Sequence, residues 1–222
     1  MDFSGPERAD LADVQSLNHA FLECVRSEQS GRGLREQLTP SLRPVIVALS
    51  DLQIRRLAAS PFLLLSLREG DDDYWDRLFA QGPNGDLFNS IRITSDASHR
   101  IVAAALGFLW QLARRDPHAA RLVSGASVNW CEQLAARTLL GLLQHAADRS
   151  DLLGPRSAGS EQFWRRLLGA GISAEQNIRN AAHLAALQTV LIDNPAKQHN
   201  RFRAAACNTL VPTLSVAHRR IR

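Results

Sequence analysis

Tyr74-Trp75-Asp76-Arg77-Leu78 and Phe163-Trp164-Arg165-Arg166-Leu167 are two similar stretches that lie 89 positions apart. The same offset, without gaps, aligns further matching positions: Leu17 with Leu106, Phe21 with Trp110, Arg26 with Arg115, Leu63-Leu64 with Leu152-Leu153, Gly70 with Gly159, and Gly82 with Gly171. Repetition at a fixed offset is typical of a duplicated structural unit. We therefore predict two similar small helical bundles in tandem, which pack together because neither can bury its apolar faces alone.

Apolar periodicity around these stretches indicates helices. From Asp10 to Glu28, the apolar residues recur every three or four positions, as on a helix with one buried face. Capping and proline signals predict further helix starts at Thr39-Pro40, Ser60-Pro61, Asp71, Ser95, Asp116-Pro117, Ser127, and Ser173 with Gln176. Strand signals are nearly absent. We predict an all-α fold with one unit over 1–82, a second over 83–171, and C-terminal helices over 172–222.

The composition of the chain argues against several classes of protein. No apolar run approaches the roughly 20 residues that span a bilayer, and the first residues lack the pattern of a signal peptide. We expect a cytoplasmic protein without a membrane partner. Cys24, Cys131 and Cys207 are odd in number and widely spaced, which argues against disulfides and a zinc site.

Positive charge is concentrated at the C-terminus. After Asp193 the sequence has no acidic residue and six basic ones, namely Lys197, Arg201, Arg203, Arg219, Arg220 and Arg222. Three interpretations remain open for this basic segment: contact with nucleic acid phosphates, contact with an acidic protein, or a solvated face. Cations at the end of a helix are also favoured by its dipole, which would account for the last three arginines.

The repeated tryptophans have two possible roles. Trp75 and Trp164 can each anchor the core of a unit, or they can contact a protein partner. Tryptophan and arginine are enriched where interfaces concentrate their binding energy, and Arg77 and Arg166 follow the tryptophans at the same spacing. These four residues are therefore candidate partner anchors.

Motifs for catalysis and for cofactors were not found. The sequence has no phosphate-binding loop, dinucleotide fingerprint, zinc-protease helix, nucleophile elbow or calcium loop. Asp71-Asp72-Asp73 fits helix capping better than cation binding, and Cys131 with His145 lacks a readable orienting partner. We predict no enzyme, no metal site and no cofactor.

Residues 12 to about 80 resemble the flagellar transcriptional regulator FlhD. The resemblance rests on Asp13-Val14-Gln15-Ser16-Leu17-Asn18 with Phe21-Leu22, on Ala48-Leu49-Ser50-Asp51-Leu52-Gln53-Ile54 with Leu57-Ala58, and on Leu65-Ser66-Leu67-Arg68 with Asp71. A second copy would cover about 103–171. That family is about half as long as this chain and uses a dimer, so the second unit would mimic the dimer internally. None of the family's DNA-contacting residues can be placed on this sequence.

The resemblance implies a self-associating α-helical protein that acts in transcription by joining a protein partner and DNA. The predicted function is therefore a non-catalytic FlhD-like transcriptional regulator, with homo-oligomerisation as a possibility. The alternative is a helical adaptor or chaperone that binds another protein without nucleic acid. Salt-dependent binding of duplex DNA would separate the two.

Overall fold

The computed structural model describes residues 5–27, 31–80, 97–147, 149 and 151–192, and within them the fold is all-α. Apart from two short strands, β1 (Leu65–Ser66) and β2 (Gly154–Pro155), the regular structure consists of helices. The α-helices are α1 (Arg8–Arg26), α2 (Arg32–Glu36), α3 (Arg43–Val47), α4 (Asp51–Ala58), α5 (Asp72–Ala80), α6 (Ala97–Arg115), α7 (Pro117–Ser124), α8 (Val128–Ala135), α9 (Leu139–Ala147), α10 (Glu161–Gly169) and α11 (Gln176–Ile192). A 3-10 turn, Ala170–Ile172, lies between α10 and α11. None of the described helices is both long and apolar enough to cross a bilayer.

Several helices begin where local side chains satisfy their free N–H groups. The Asp116 carboxylate accepts from the N–H groups of His118 and Ala119, and Pro117 occupies the first helical position of α7. The Ser127 hydroxyl caps α8 by accepting from the Trp130 N–H. These caps lie where the sequence predicts them, because each needs only residues within three positions.

Two predicted helix starts are wrong. Thr39-Pro40 lies in a turn, and the helix that follows begins only at Arg43. Ser60-Pro61 leads into β1 instead of a helix. The reason is a tertiary contact: the buried amide of Asn18 donates to the Phe62 carbonyl at 2.8 Å and accepts from the Leu64 N–H at 2.7 Å. The backbone there is satisfied by α1 and does not need helical hydrogen bonds.

The offset of 89 residues recurs in the bounds of the elements. Strand β2 follows β1 at this offset, and the first and last residues of α6 and α10 follow those of α1 and α5 at the same offset. Among the residues that the structure describes, the non-glycine residues with positive φ are Arg68 and Ser157, at 56° and 47°, and they correspond by this offset. The chain therefore repeats a local structure as well as a sequence pattern.

A local two-fold relation joins the repeated elements. The strands pair antiparallel, with Leu65 opposite Pro155 and Ser66 opposite Gly154. Since Leu65 corresponds to Gly154 and Ser66 to Pro155, the pairing is reciprocal, as it is across the two-fold axis of a symmetric dimer. Helices α1 and α6 also pack antiparallel, with Cys24 beside Ser98 at one end and Arg115 bonded to Asp10 at the other.

One hydrophobic core serves both units. A single cluster of buried side chains runs from Val14 in α1 to Val190 in α11 and includes residues of every unit predicted from the sequence. The core gives no boundary between 1–82 and 83–171. Instead of two bundles with separate cores, the described residues form two related halves around a shared core.

Candidate functional site

The structure places the predicted tryptophan anchors in the core. Both indoles are only 1% exposed, and each ring N–H donates to a backbone carbonyl, Trp75 to Arg68 at 3.1 Å and Trp164 to Arg156 at 2.8 Å. Trp75 also meets Trp130 edge to face, with 5.4 Å between ring centroids. A partner cannot reach either ring in this state, so the burial fits the core role.

The other predicted contact residues are divided between the surface and the part of the chain that the structure does not describe. Arg77 and Arg166 are exposed on α5 and α10, two positions beyond the buried tryptophans. The residues of the basic segment lie outside the described residues: Lys197, Arg201, Arg203, Arg219, Arg220 and Arg222.

Burial shifts the pKa values of two core side chains, Cys131 and His183. Burial raises the pKa of the Cys131 thiol to about 12, so the nucleophilic thiolate is scarce at neutral pH. Burial lowers the pKa of His183, whose Nε2 lies 3.1 Å from the Gly171 carbonyl. Among the described residues, no group of three or more His, Cys, Asp or Glu side chains is arranged to hold a metal ion.

A buried ion pair joins the two halves beside the paired strands. The Arg156 guanidinium lies 2.7 Å from the Glu69 carboxylate, and both side chains are less than a tenth exposed. Arg156 also donates to the carbonyls of Leu63 and Leu65, while Glu69 accepts from the Leu67 N–H at 2.7 Å. We call Arg156 and Glu69 the clasp.

An open groove runs between α1 and α6. It consists of two adjoining cavities of about 430 and 550 Å³ that share Leu17 and Ala104 in their walls. Its walls are mostly small or apolar: Ala20, Ala97 and Ile101 line the first cavity, and Gly107, Phe108 and Leu139 line the second. We call this feature the α1–α6 groove.

Two arginines stack on aromatic rings: Arg114 stacks on Trp110, which lines the second cavity, and Arg137 stacks on Phe79, which does not. The ring N–H of Trp110 donates to the Arg137 carbonyl at 2.8 Å. The Arg114 guanidinium lies 4.9 Å from the centre of the Trp110 ring, and that of Arg137 lies 4.5 Å from the Phe79 ring. Neither arginine is in an ion pair with a carboxylate of the described residues.

Comparisons of the chain with protein-family models, with curated proteins and with solved structures find no match. The most distinctive features of the described residues are the two-fold repeat, the clasp and the α1–α6 groove.

Proposed function

We propose that this protein is a non-catalytic, FlhD-like helical transcriptional regulator that acts by binding a protein partner and DNA. The observation that carries the proposal is the repetition of elements about the reciprocal β1–β2 pair. The resemblance of residues 12–80 implies a self-associating protein, and a two-fold arrangement of similar halves within one chain is what fusion of such a dimer would give.

The basic segment supports the DNA-binding part of the proposal. It carries six cations and no carboxylate over residues 194–222. A protein that neutralises about six phosphates loses roughly 10³-fold in affinity between 50 and 200 mM salt, because bound counterions are released from the DNA. Fluorescence anisotropy of a labelled duplex, titrated with the full-length protein at both salt concentrations, tests this expectation.

A matched pair of variants distinguishes the effect of the basic segment on DNA binding from the effect of net charge. Arg219→Gln/Arg220→Gln/Arg222→Gln should reduce both the affinity for DNA and the salt dependence, since about three phosphate contacts are lost. The control Arg8→Gln/Arg32→Gln/Arg55→Gln removes the same charge from exposed positions on α1, α2 and α4 and should have a smaller effect. Equal effects of the two variants, or no binding to duplex with or without candidate partners, would contradict the proposal.

The second candidate function is an adaptor or chaperone that binds a protein and no nucleic acid. The α1–α6 groove favours it, because an apolar groove between helices is a common way to hold a peptide. Partner capture that persists without any salt-dependent DNA binding would favour this function over the regulator.

A further inference from the structure

We infer that the outward face of α11 is covered by the chain's own residues 202–221, folded back on it as an antiparallel amphipathic helix. Those residues lie outside the part of the chain that the structure describes. The inference goes beyond the proposed function, since it does not require the basic segment to bind DNA. It rests on the apolar face of α11, on the place where α11 ends, and on the sequence pattern of 202–221.

Helix α11 is apolar on two opposite faces. Ala182, Ala186 and Val190 are buried against the core. On the other side, Leu184 and Ile192 are 58% and 70% exposed, which are the highest values for large apolar side chains among the described residues. A helix that is apolar all round is typical of a buried position, so this outward face is expected to be covered.

The outward face of α11 is also free of charge. Its residues recur three or four positions apart, as one helical face requires: Ile178, Ala181, Leu184, Ala185, Gln188 and Ile192. The charged or titratable side chains of α11 are elsewhere, because Arg179 donates to the Ser173 carbonyl at 2.8 Å and His183 is buried. A solvated helix face normally carries charged residues, and this face carries none.

The chain itself leads from this face to a matching apolar pattern. Helix α11 ends at Ile192, on the outward face, and 30 residues follow. The nine residues 193–201 contain Asn194-Pro195, a turn signal, and a connection of this length is typical of antiparallel helix neighbours. A segment tethered so closely has an effective concentration of about a millimolar at that face, which favours it over a second copy or another protein.

Residues 202–221 have the length and the pattern that α11 requires. As a helix they would span about 30 Å, enough to cover the roughly 26 Å of α11. Their apolar residues recur three or four positions apart, and we call this set the terminal stripe: Phe202, Ala206, Leu210, Leu214, Ala217 and Ile221. On a helix, Arg201, Arg219 and Arg222 fall on the side away from the terminal stripe.

Pro212 makes the segment dependent on packing. On a helix it falls opposite the terminal stripe, so the kink that it introduces leaves the apolar side continuous. It also divides 202–221 into two stretches of about ten residues, each too short to form a stable helix alone in water. Slow amide exchange in these residues would therefore report contact with another part of the protein.

The test is hydrogen–deuterium exchange of the full-length protein, followed by mass spectrometry. We expect amides in 202–221 to exchange at least about tenfold more slowly than those of an unfolded chain. Leu184→Lys/Ile192→Lys places two cations on the outward face of α11 and should return 202–221 to the unfolded-chain rate. Helices α6 and α8 should stay protected in this variant, because both substituted positions are exposed.

A matched control places the same charges on another exposed apolar surface. Val45 and Leu52, on α3 and α4, are 44% and 50% exposed, and Val45→Lys/Leu52→Lys should leave the protection of 202–221 unchanged. Light scattering of the full-length protein and of both variants distinguishes contact within one chain from contact between copies. We expect Leu184→Lys/Ile192→Lys to leave the molecular mass in solution unchanged.

Four results would overturn the inference. They are unfolded-chain exchange of 202–221 in the unmodified protein, protection that survives Leu184→Lys/Ile192→Lys, equal loss of protection in the control, and a dimer that dissociates in the α11 variant. The last result would assign the outward face to a second copy. None of these measurements involves DNA, so failure of this inference and failure of the proposed function are distinguishable.

Discussion

Arg156→Met is the sharpest perturbation of the junction between the halves. The substitution keeps a long apolar stem and removes the guanidinium that pairs with Glu69 and donates to the carbonyls of Leu63 and Leu65. It leaves the Glu69 carboxylate, which is 8% exposed, without its cation, and it removes the Arg156 donors from the carbonyls of Leu63 and Leu65.

The expected loss follows from this burial. Removing one partner of a buried ion pair costs about 3–5 kcal/mol, because the remaining charge stays buried and uncompensated. Glu69 keeps its hydrogen bonds from Ser66 and Leu67, while the two carbonyls lose theirs, so we expect about 4 kcal/mol for Arg156→Met. Adding Glu69→Gln should recover about 1–2 kcal/mol of this loss, since the orphaned charge is then removed.

Urea unfolding, monitored by tryptophan fluorescence, gives the free energies of unfolding from which the loss in Arg156→Met and the recovery on adding Glu69→Gln are calculated. Arg165→Met is the matched control, because its ion pair with Glu161 is formed at the same 2.7 Å by a side chain that is 67% exposed. It should cost less than about 1 kcal/mol. Equal costs for Arg156→Met and Arg165→Met, or no recovery in the double variant, would refute the role assigned to the clasp.

Three further predictions follow from buried side chains. Trp164→Ala should lower the free energy of unfolding by about 3–5 kcal/mol in urea titrations, because the ring is buried in the core. An unchanged urea midpoint would contradict the burial of Trp164. Burial lowers the pKa of His183 in the folded state, so the neutral imidazole stabilises the fold fully above the unfolded-state pKa of about 6.5, and this stabilisation is lost as the pH falls below that value. His183→Gln should therefore flatten the pH dependence of the unfolding midpoint between pH 7 and 5. An unchanged slope would contradict this expectation. Cys131, with a pKa of about 12, should resist alkylation at pH 8 until urea unfolds the protein, as mass spectrometry can follow; rapid labelling of the folded protein would contradict its burial.

The sequence predicts the parts of the fold that depend on local contacts. Asp116 and Ser127 cap α7 and α8 as predicted, because their partners lie within three residues. The prediction fails at Ser60-Pro61, where Asn18, more than 40 positions away, fixes the backbone through its side chain. Helix propensity is calculated over a short stretch of sequence, so it contains no information about a contact with a residue that far away in the chain.

The site is less accessible to sequence reasoning than the fold. The recurrence of Trp75 and Trp164 reveals the repeat, yet spacing alone does not say whether the rings face the core or a partner. The clasp departs from the repeat, since Arg156 corresponds to Leu67 and Glu69 to Ala158. The spacing of residues in the sequence therefore does not predict that Arg156 and Glu69 form an ion pair.

The α1–α6 groove is invisible in the sequence for a different reason. Its walls come from α1, α6 and the start of α9, which meet only in the folded chain, and alanines such as Ala103 and Ala104 carry no signal beyond helix propensity. What the sequence does offer is the offset that relates α1 to α6. From that offset one can anticipate that the two helices are equivalent, though not that they pack against each other with space between them.

Calorimetry of the full-length protein tests the central claim, which is that two related halves fold as one body around a shared core. If the core is shared, unfolding is a single transition in which the calorimetric enthalpy equals the van't Hoff enthalpy. Two resolved transitions, or a calorimetric enthalpy near twice the van't Hoff value, would mean that the halves unfold independently and would contradict the account.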